Sequence, residues 1–290
     1  MNLGIIFAGL TILLFGSWPV PTKTLNIEPK TQAFWLTFGH LLLSTIVFIF
    51  FAQPIPFKDF IGPFIAGILW GIGITLGYVG IKNLGITRAL SIWIPIVTIV
   101  SALWGLIFFG EVSALGLEKL LLTSLAILLL ITAALVVISS SKGEEKVRNV
   151  KVGILASIAL GVTHGSFFVP LRTSSLPIFV TFLPLTIGMF GIVLLIIILQ
   201  KVKIRYDVVS TARMILAGFL LGSGNYTALL TIKYLGVAQG YPLTQLGIIV
   251  NALWGTLVFK EVTTLRGRIL VAIGIAIAIV GAVILNLARI

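Results

Sequence analysis

The sequence predicts an all-α, polytopic membrane protein whose ten transmembrane helices form two inverted five-helix repeats. Three observations lead to this prediction. The 290 residues are 59% hydrophobic and only 10% charged, whereas soluble proteins carry about 25% charged residues. The chain divides into ten apolar runs of membrane-spanning length, and the same short motifs return roughly half a chain length later.

The ten spans are separated by connections that hold the charged residues and the turn formers. A helix needs roughly 20 apolar residues to cross the hydrocarbon core of a bilayer. The longest polar connection predicts a linker at 140–151, between an N-terminal repeat at 1–139 and a C-terminal repeat at 152–290. We place the spans at residues 3–20, 32–52, 59–81, 88–110, 115–139, 152–170, 177–199, 212–232, 237–259 and 266–288.

Four motifs occur at equivalent places of the two repeats. Ala-Leu-Trp-Gly stands at 102–105 and again at 252–255, and each copy is followed by Phe-x-Glu-Val, at 109–112 and 259–262. Ile-Lys-x-Leu-Gly precedes them at 81–85 and 232–236, and Gly-Ser at 16–17 returns at 165–166. Recurrence in the same order indicates one unit present in two copies.

The number of spans and the loop charges predict the topology. Each repeat holds five spans, an odd number, so the second repeat must enter the membrane from the side opposite to the first. Of the 20 Lys and Arg residues, 15 fall on one side of the membrane. Cytoplasmic loops are enriched in these residues. We therefore expect a multi-pass protein of the cell membrane, with both termini outside and the linker 140–151 in the cytoplasm.

Composition and motifs exclude several classes of function. All eight acidic residues fall at span ends or in connections, whereas cation-coupled antiporters usually keep a carboxylate at membrane depth. The chain has no Walker-type phosphate loop, no His-Glu-x-x-His and no Gly-x-Ser-x-Gly motif. With no cysteine and two histidines, a metal-dependent enzyme is not supported. We expect no catalytic residue, metal or cofactor, and the basic charge suits anionic lipid rather than nucleic acid.

Neutral hydrogen-bonding and aromatic side chains occupy the spans instead. Amides and imidazoles in hydrocarbon are destabilising without partners, so we expect them to face the bundle interior or an aqueous cavity. Amides can pair with neighbouring hydroxyls, and aromatic faces can cover the apolar side of a sugar ring. The candidate contacts to a neutral, hydroxyl-rich solute are Trp18, Trp70, Trp93, His164, Asn225, Tyr226, Gln245 and His40.

Structural roles remain open for several of these aromatic and imidazole side chains. Trp35 and Trp104 lie near span ends, where tryptophan commonly anchors a helix at the membrane interface. Trp254 fits a packing role, and a neighbouring backbone carbonyl could satisfy either His40 or His164.

Candidate hinges are the prolines and glycines at equivalent positions of the two repeats. Pro21 and Pro170 lie shortly after Gly16 and Gly165. Proline removes a backbone donor and bends membrane helices. Bends at equivalent positions of an inverted repeat fall at opposite membrane faces, where a carrier needs gates. We expect these four residues to form the gates, although passive kinks are also common in membrane helices.

Gly-Ser-Trp-Pro-Val-Pro at 16–21 and Gly-Ser-Phe-Phe-Val-Pro at 165–170 resemble a signature of the drug/metabolite transporter superfamily. More narrowly, the chain resembles the glucose/ribose porter group of sugar-uptake proteins. Gly-Ser-Gly-Asn at 222–225 and Leu-Trp-Gly-Thr-Leu-Val-Phe-Lys-Glu-Val at 253–262 strengthen the resemblance. It implies a ten-helix carrier with a central cavity between two inverted halves.

The first hypothesis is a secondary transporter that carries a sugar or a similar neutral metabolite by alternating access, with the lipid bilayer as its surroundings. A second hypothesis keeps the fold and changes the function to export of amino acids or other metabolites. A third is a membrane enzyme or a lipid-handling protein, which would need a catalytic cluster. A homodimer is left open, and proton coupling would require His40 or His164, because histidine is the side chain whose unperturbed pKa lies near neutrality.

Overall fold

The computed structural model describes residues 3–84, 86–110, 116–139, 148–259 and 264–288. All regular structure in these ranges is helical. The Glu-Val pairs at 111–112 and 261–262 and most of the linker, residues 140–147, lie outside the described residues. Within the described ranges, eight helices are long and apolar enough to cross a membrane. The described part of the chain is therefore all-helical, with eight candidate membrane spans.

Helix boundaries follow local sequence signals. The Asn149 side chain accepts a hydrogen bond from Val152 N at 3.1 Å, and the Asp207 side chain accepts one from Ser210 N at 2.9 Å. These caps satisfy amide groups that have no partner inside the helix. The α-helices of the described residues are α1 (Leu3–Ser17), α2 (Pro29–Phe50), α3 (Phe57–Leu84), α4 (Ile86–Leu103), α5 (Leu117–Ser139), α6 (Val150–Ser166), α7 (Phe168–Leu171), α8 (Ile178–Leu199), α9 (Val208–Leu235), α10 (Val237–Thr244), α11 (Gly247–Leu253) and α12 (Leu265–Leu287).

Two of the spans predicted from the sequence, 88–110 and 237–259, are interrupted rather than continuous α-helices. α4 passes into a π-helical segment at Trp104–Phe108, and α11 passes into another at Trp254–Val258. α10 and α11 are also separated by a tight turn after Pro242, in which Gln245 N donates to Pro242 O at 3.1 Å. Proline lacks the amide hydrogen that a continuous helix needs. Neither segment is among the eight candidate spans.

Helices from the two halves cross through glycines. A Cβ atom on Gly39 of α2 would lie 3.1 Å from the Cα of Gly218 in α9 and closer still to a carbonyl oxygen of α9. A Cβ atom on Gly67 of α3 would collide with the backbone of α8, and one on Gly188 would collide with the backbone of α3. Small residues allow helix backbones to approach closely in this way. The α2–α9 and α3–α8 crossings therefore both depend on close backbone contact at glycines.

Further contacts join the first five long segments to the later ones. α1 packs on α9 and α11, α3 and α4 pack on α6, and α5 packs along α12. At the end of α3, Arg148 N donates to Asn83 O at 2.8 Å. The end of α3 and the start of α6 therefore lie on the same side, which we call the linker face. The start of α3 and the end of α7 lie on the opposite face.

Candidate functional site

A cavity of about 690 Å³ lies among α1, α3, α4, α6, α9 and the α10–α11 segment. Its mouth is bordered by the connection between α1 and α2, by Lys82 and Arg148, and by Phe259. Because Lys82 and Arg148 mark the linker face, the cavity opens there. A volume in this range suits a small organic molecule.

Four tryptophans line the cavity, and three of them, Trp18, Trp70 and Trp93, are the ones predicted from the sequence. The Trp70 side chain is buried, and the ring of His164 stacks on it at 4.7 Å between centroids and 20° between planes. Flat, rigid aromatic faces of this kind can cover the C–H side of a sugar ring. The tryptophans thus form an apolar wall around the polar groups.

The polar side chains of the wall are held by hydrogen bonds to protein groups. His164 Nε2 lies 3.2 Å from Trp70 O, and Asn225 Nδ2 lies 3.0 Å from Nε2 of His40. Gln245 Nε2 donates to Thr244 Oγ1 at 3.2 Å. His164, Asn225 and Gln245 all line the cavity, so the structure brings six of the eight sequence-predicted contacts together around one space.

The other two, His40 and Tyr226, do not line the cavity. His40 is almost fully buried behind Asn225, with its ring 5.4 Å from that of Trp70. Tyr226 points away and stacks on Phe182 at 3.8 Å between centroids. Its hydroxyl has no hydrogen-bond partner within the described residues.

Other lining residues were not chosen from the sequence. Tyr78, Tyr241, Asn251 and Trp254 all line the cavity. Asn251 Nδ2 donates to Gly16 O at 3.3 Å, and the Trp254 indole donates to the hydroxyl of Ser17 at 3.0 Å. The available signal was the break that Pro242 predicts, because residues beside a broken membrane helix often line a binding site.

An aromatic cluster closes the cavity toward the opposite face. The Arg172 guanidinium lies 4.3 Å from the centroid of the Phe109 ring. Phe109 contacts Phe168 at 6.2 Å, and Phe168 contacts Tyr241 at 5.4 Å, both between ring centroids. Among these, Tyr241 lines the cavity, so the cluster separates the cavity from the opposite face.

The four predicted hinge residues lie where the two halves touch. A Cβ on Gly165 of α6 would lie 2.7 Å from Cβ of Val100, and one on Gly16 of α1 would clash with Val250. Pro21 O accepts a hydrogen bond from Arg213 Nε at 2.6 Å, whereas Pro170 O accepts one from Thr173 within its own turn.

The charges at the cavity are confined to its mouth. Glu28 is the one carboxylate among the described lining residues, and it stands at the start of α2 on the linker face, where the lining cations Lys23, Lys82 and Arg148 also stand. Within the described residues, no group of three or more His, Cys, Asp or Glu side chains could hold a metal ion. The interior of the site is therefore neutral and hydrogen-bonding.

Comparisons with known proteins match nearly the whole chain. The family model described as "Sugar transport protein" covers residues 6–288. A putative sugar uptake protein from Listeria monocytogenes is 26% identical over 287 residues, which are 99% of this chain and 100% of that protein. The glucose uptake protein GlcU of Bacillus subtilis is 28% identical, and the match covers 98% of each chain. A solved crystal structure has a TM-score of 0.76 at 15% identity and covers 98% of this chain, which shows that the two share a fold.

Proposed function

Because the chain belongs to the family of sugar transport proteins, we propose that it carries a sugar across the membrane by opening its central cavity to each face in turn. The family is one of transporters rather than enzymes. The observation that carries the proposal is the cavity itself. It combines the indole faces of Trp18, Trp70 and Trp93 with the amides of Asn225 and Gln245.

A sugar fits this cavity better than a charged solute does. Indole faces pack on the C–H side of a pyranose, and amides hydrogen-bond to hydroxyls. The cations Lys23, Lys82 and Arg148 stand at the mouth rather than beside the tryptophans. An anion, or a zwitterionic amino acid, would therefore leave its carboxylate unpaired once inside.

We infer ten crossings arranged as an inverted repeat. The two interrupted segments, α4 with its π-helical end and α10–α11 with theirs, occupy equivalent places in the two halves. The contacts between the halves are also reciprocal. Trp104 donates to Ser166 at 2.8 Å and Trp254 donates to Ser17 at 3.0 Å, so each half supplies the tryptophan that binds the other's Gly-Ser motif. This exchange supports a pseudo-two-fold relation.

The difference between the two faces supports alternating access. At the opposite face, Arg172 covers Phe109 and the path is closed. The repeat equivalents of these residues, Lys23 and Phe259, border the open mouth at the linker face. Rocking of one half against the other would close the linker face and separate Arg172 from Phe109, with Gly16, Gly165, Pro21 and Pro170 at the ends that move.

The loop charges support an orientation with the linker face in the cytoplasm and both termini outside. In that orientation the structure is the inward-open state. Exposed apolar residues such as Leu13, Leu128 and Ile279 would face lipid. A homodimer remains a prediction.

Uptake into proteoliposomes tests the proposal. Purified protein should give saturable uptake of one labelled sugar from a panel of hexoses and pentoses, with and without a pH gradient. Asn225→Ala should raise KM by about fivefold or more, the equivalent of one lost hydrogen bond. The matched control is Asn83→Ala, because the Asn83 amide binds Val79 O on its own helix and lies outside the cavity.

Failure of every sugar in the panel, together with competition or transport by amino acids, would contradict sugar transport and favour the exporter hypothesis. Dependence of uptake on the pH gradient would assign proton coupling. Independence from it would indicate facilitated diffusion.

A further inference from the structure

We infer that the polar side chains of the cavity are anchored through their N–H groups, so that they present hydrogen-bond acceptors to the substrate and select for hydroxyl hydrogens. The inference rests on the proposed function and deepens it, because it specifies how the site reads its substrate. Four lining residues carry it, namely His164, Asn251, Asn225 and Gln245.

Two of the four are anchored directly on backbone carbonyls. His164 Nε2 lies 3.2 Å from Trp70 O, and Asn251 Nδ2 lies 3.3 Å from Gly16 O. A carbonyl oxygen has no hydrogen to give, so the nitrogen facing it must donate. A neutral His164 ring is then protonated at Nε2, which leaves Nδ1 as an acceptor. The Asn251 amide likewise leaves Oδ1 as its acceptor.

Asn225 is oriented through His40. Nδ1 of His40 lies 3.3 Å from Leu36 O, and its Nε2 lies 3.0 Å from Asn225 Nδ2. Because Leu36 O can only accept, the neutral ring carries its hydrogen on Nδ1, and Nε2 must accept from Asn225. This chain of two bonds places the Asn225 amide nitrogen against His40 and leaves Oδ1 for the cavity. His40 is thus a positioning residue rather than a substrate contact.

Gln245 is oriented through Thr244. The Thr244 hydroxyl donates its hydrogen to Tyr241 O at 2.6 Å, so its oxygen accepts from Gln245 Nε2 at 3.2 Å. The backbone carbonyl again decides the direction of both bonds. Oε1 of Gln245 is left without a donor.

Four acceptor atoms therefore remain unpaired around one cavity. Within the described part of the chain, Oδ1 of Asn225, Oε1 of Gln245, Oδ1 of Asn251 and Nδ1 of His164 receive no hydrogen bond, and none of these atoms is sealed inside the protein. Asn225 and Asn251 each keep one further N–H, whereas the Gln245 amide is also hydrogen-bonded to the Tyr241 side chain, and His164 offers an acceptor alone.

This pattern specifies the chemistry of the substrate. A sugar hydroxyl can donate to each acceptor, whereas the oxygens of a carboxylate or a phosphate bring further lone pairs and are repelled. A C–F group is similar in size to a hydroxyl and cannot donate. The site should therefore distinguish a sugar from its fluorinated and anionic derivatives.

The tautomers can be measured without any substrate. The chain has two histidines, so nitrogen NMR of protein labelled with 15N-histidine resolves both, and His164→Gln assigns them. We expect one ring protonated at Nδ1 (His40) and the other at Nε2 (His164) at neutral pH. Two rings with the same tautomer, or two charged rings, would overturn the inference whether or not a sugar is transported.

The selectivity is tested by competition against uptake of the best-transported sugar, using its deoxy and deoxyfluoro series. At each position where removing the hydroxyl weakens competition by about fivefold, the fluorinated analogue should be equally weak. Fluorinated analogues that compete like the parent sugar at all these positions would overturn the inference. Absence of any sugar transport would instead overturn the proposed function, while the tautomer measurement would still decide the anchoring.

His40 variants separate positioning from packing. His40→Phe frees the Asn225 amide, so one fluorinated analogue should regain affinity to within about twofold of the parent. His40→Gln should keep the original pattern, because its amide oxygen can accept the same Asn225 hydrogen. Asn83→Ala is the control and should leave the pattern unchanged. If the same fluorinated analogues compete weakly in wild type and in a folded His40→Phe protein, His40 does not position the Asn225 amide.

Discussion

Replacing Arg172 by alanine should shift the protein toward the state that is open at the opposite face. The guanidinium lies 4.3 Å from the centre of the Phe109 ring, and in the proposed alternating-access cycle this contact joins the two halves only while that face is closed. A cation–π contact at an exposed site contributes about 0.5–1 kcal/mol. Because Arg172 is exposed, its loss should raise the ratio of the second state to the first by roughly two- to fivefold.

Spin labels can report this ratio, because the chain contains no cysteine and paired cysteines can be introduced without background. Labels at Leu117 and Thr173, both exposed at the opposite face, should show a second, longer distance, and the population at this distance should increase in Arg172→Ala. Labels at Asn26 and Leu265, both exposed beside the linker face, should show a second, shorter distance, and the population at this distance should increase to the same extent.

Two comparisons make the reasoning refutable. Phe109→Leu should produce the same shift, and the double variant should add nothing further, because both changes remove one contact. Lys151→Ala removes an equal charge at the start of α6, whose continuation in α7 leads to Arg172, and should leave the ratio unchanged. Equal shifts in Lys151→Ala and Arg172→Ala would show that net charge, rather than the contact with the ring, sets the ratio.

Three further predictions concern single residues. Tyr226→Phe should keep wild-type uptake and raise the unfolding free energy by about 1 kcal/mol, because it removes a buried hydroxyl without a partner among the described residues; reduced uptake would instead indicate substrate contact. Gly67→Ala should lower the unfolding free energy by about 1–3 kcal/mol in detergent, because the methyl group would collide with the α8 backbone; the control Gly9→Ala, whose added carbon meets no neighbouring helix within 4 Å, should keep the unfolding free energy or raise it, because alanine favours a helix over glycine. The side-chain and backbone hydrogen bonds of Ser210 lower the pKa of Asp207. The ionised Asp207 therefore stabilises the fold above its unfolded pKa of about 4, and this stabilisation is lost as the pH falls through the lower pKa of the folded state. The difference in melting temperature between wild type and Asp207→Asn should consequently become smaller at acid pH.

Hydropathy was sufficient to place most of the helices, because a segment that crosses lipid must satisfy its backbone internally and therefore reads as one long apolar run. The interruptions at Trp104–Phe108 and Trp254–Val258 carry no such signal. A π-helical segment changes which amide bonds to which carbonyl, and it leaves composition unchanged. Only the repetition of a tryptophan at both places marks them.

The direction of each side chain was the harder part of the site to predict. Asn225 and Tyr226 are adjacent, and neighbours on a helix point about 100° apart, so the two side chains have different surroundings. Asn225 lines the cavity, whereas Tyr226 stacks on Phe182. Sequence alone could not choose between them, because both are polar enough to need a partner. His40 lies one layer behind Asn225, a relation between α2 and α9 that depends on tertiary packing.

The glycine crossings determine how the two halves can move. At Gly39 with Gly218, and at Gly67 with Gly188, backbone rests on backbone with no side chain in between. Most helix pairs resist sliding because their side chains interdigitate. At these glycine crossings no side chains interdigitate, so one half can turn on the other without unpacking the contact. We expect the barrier to turnover to arise at the two ends, where contacts must break, while the middle of the molecule stays assembled throughout the cycle.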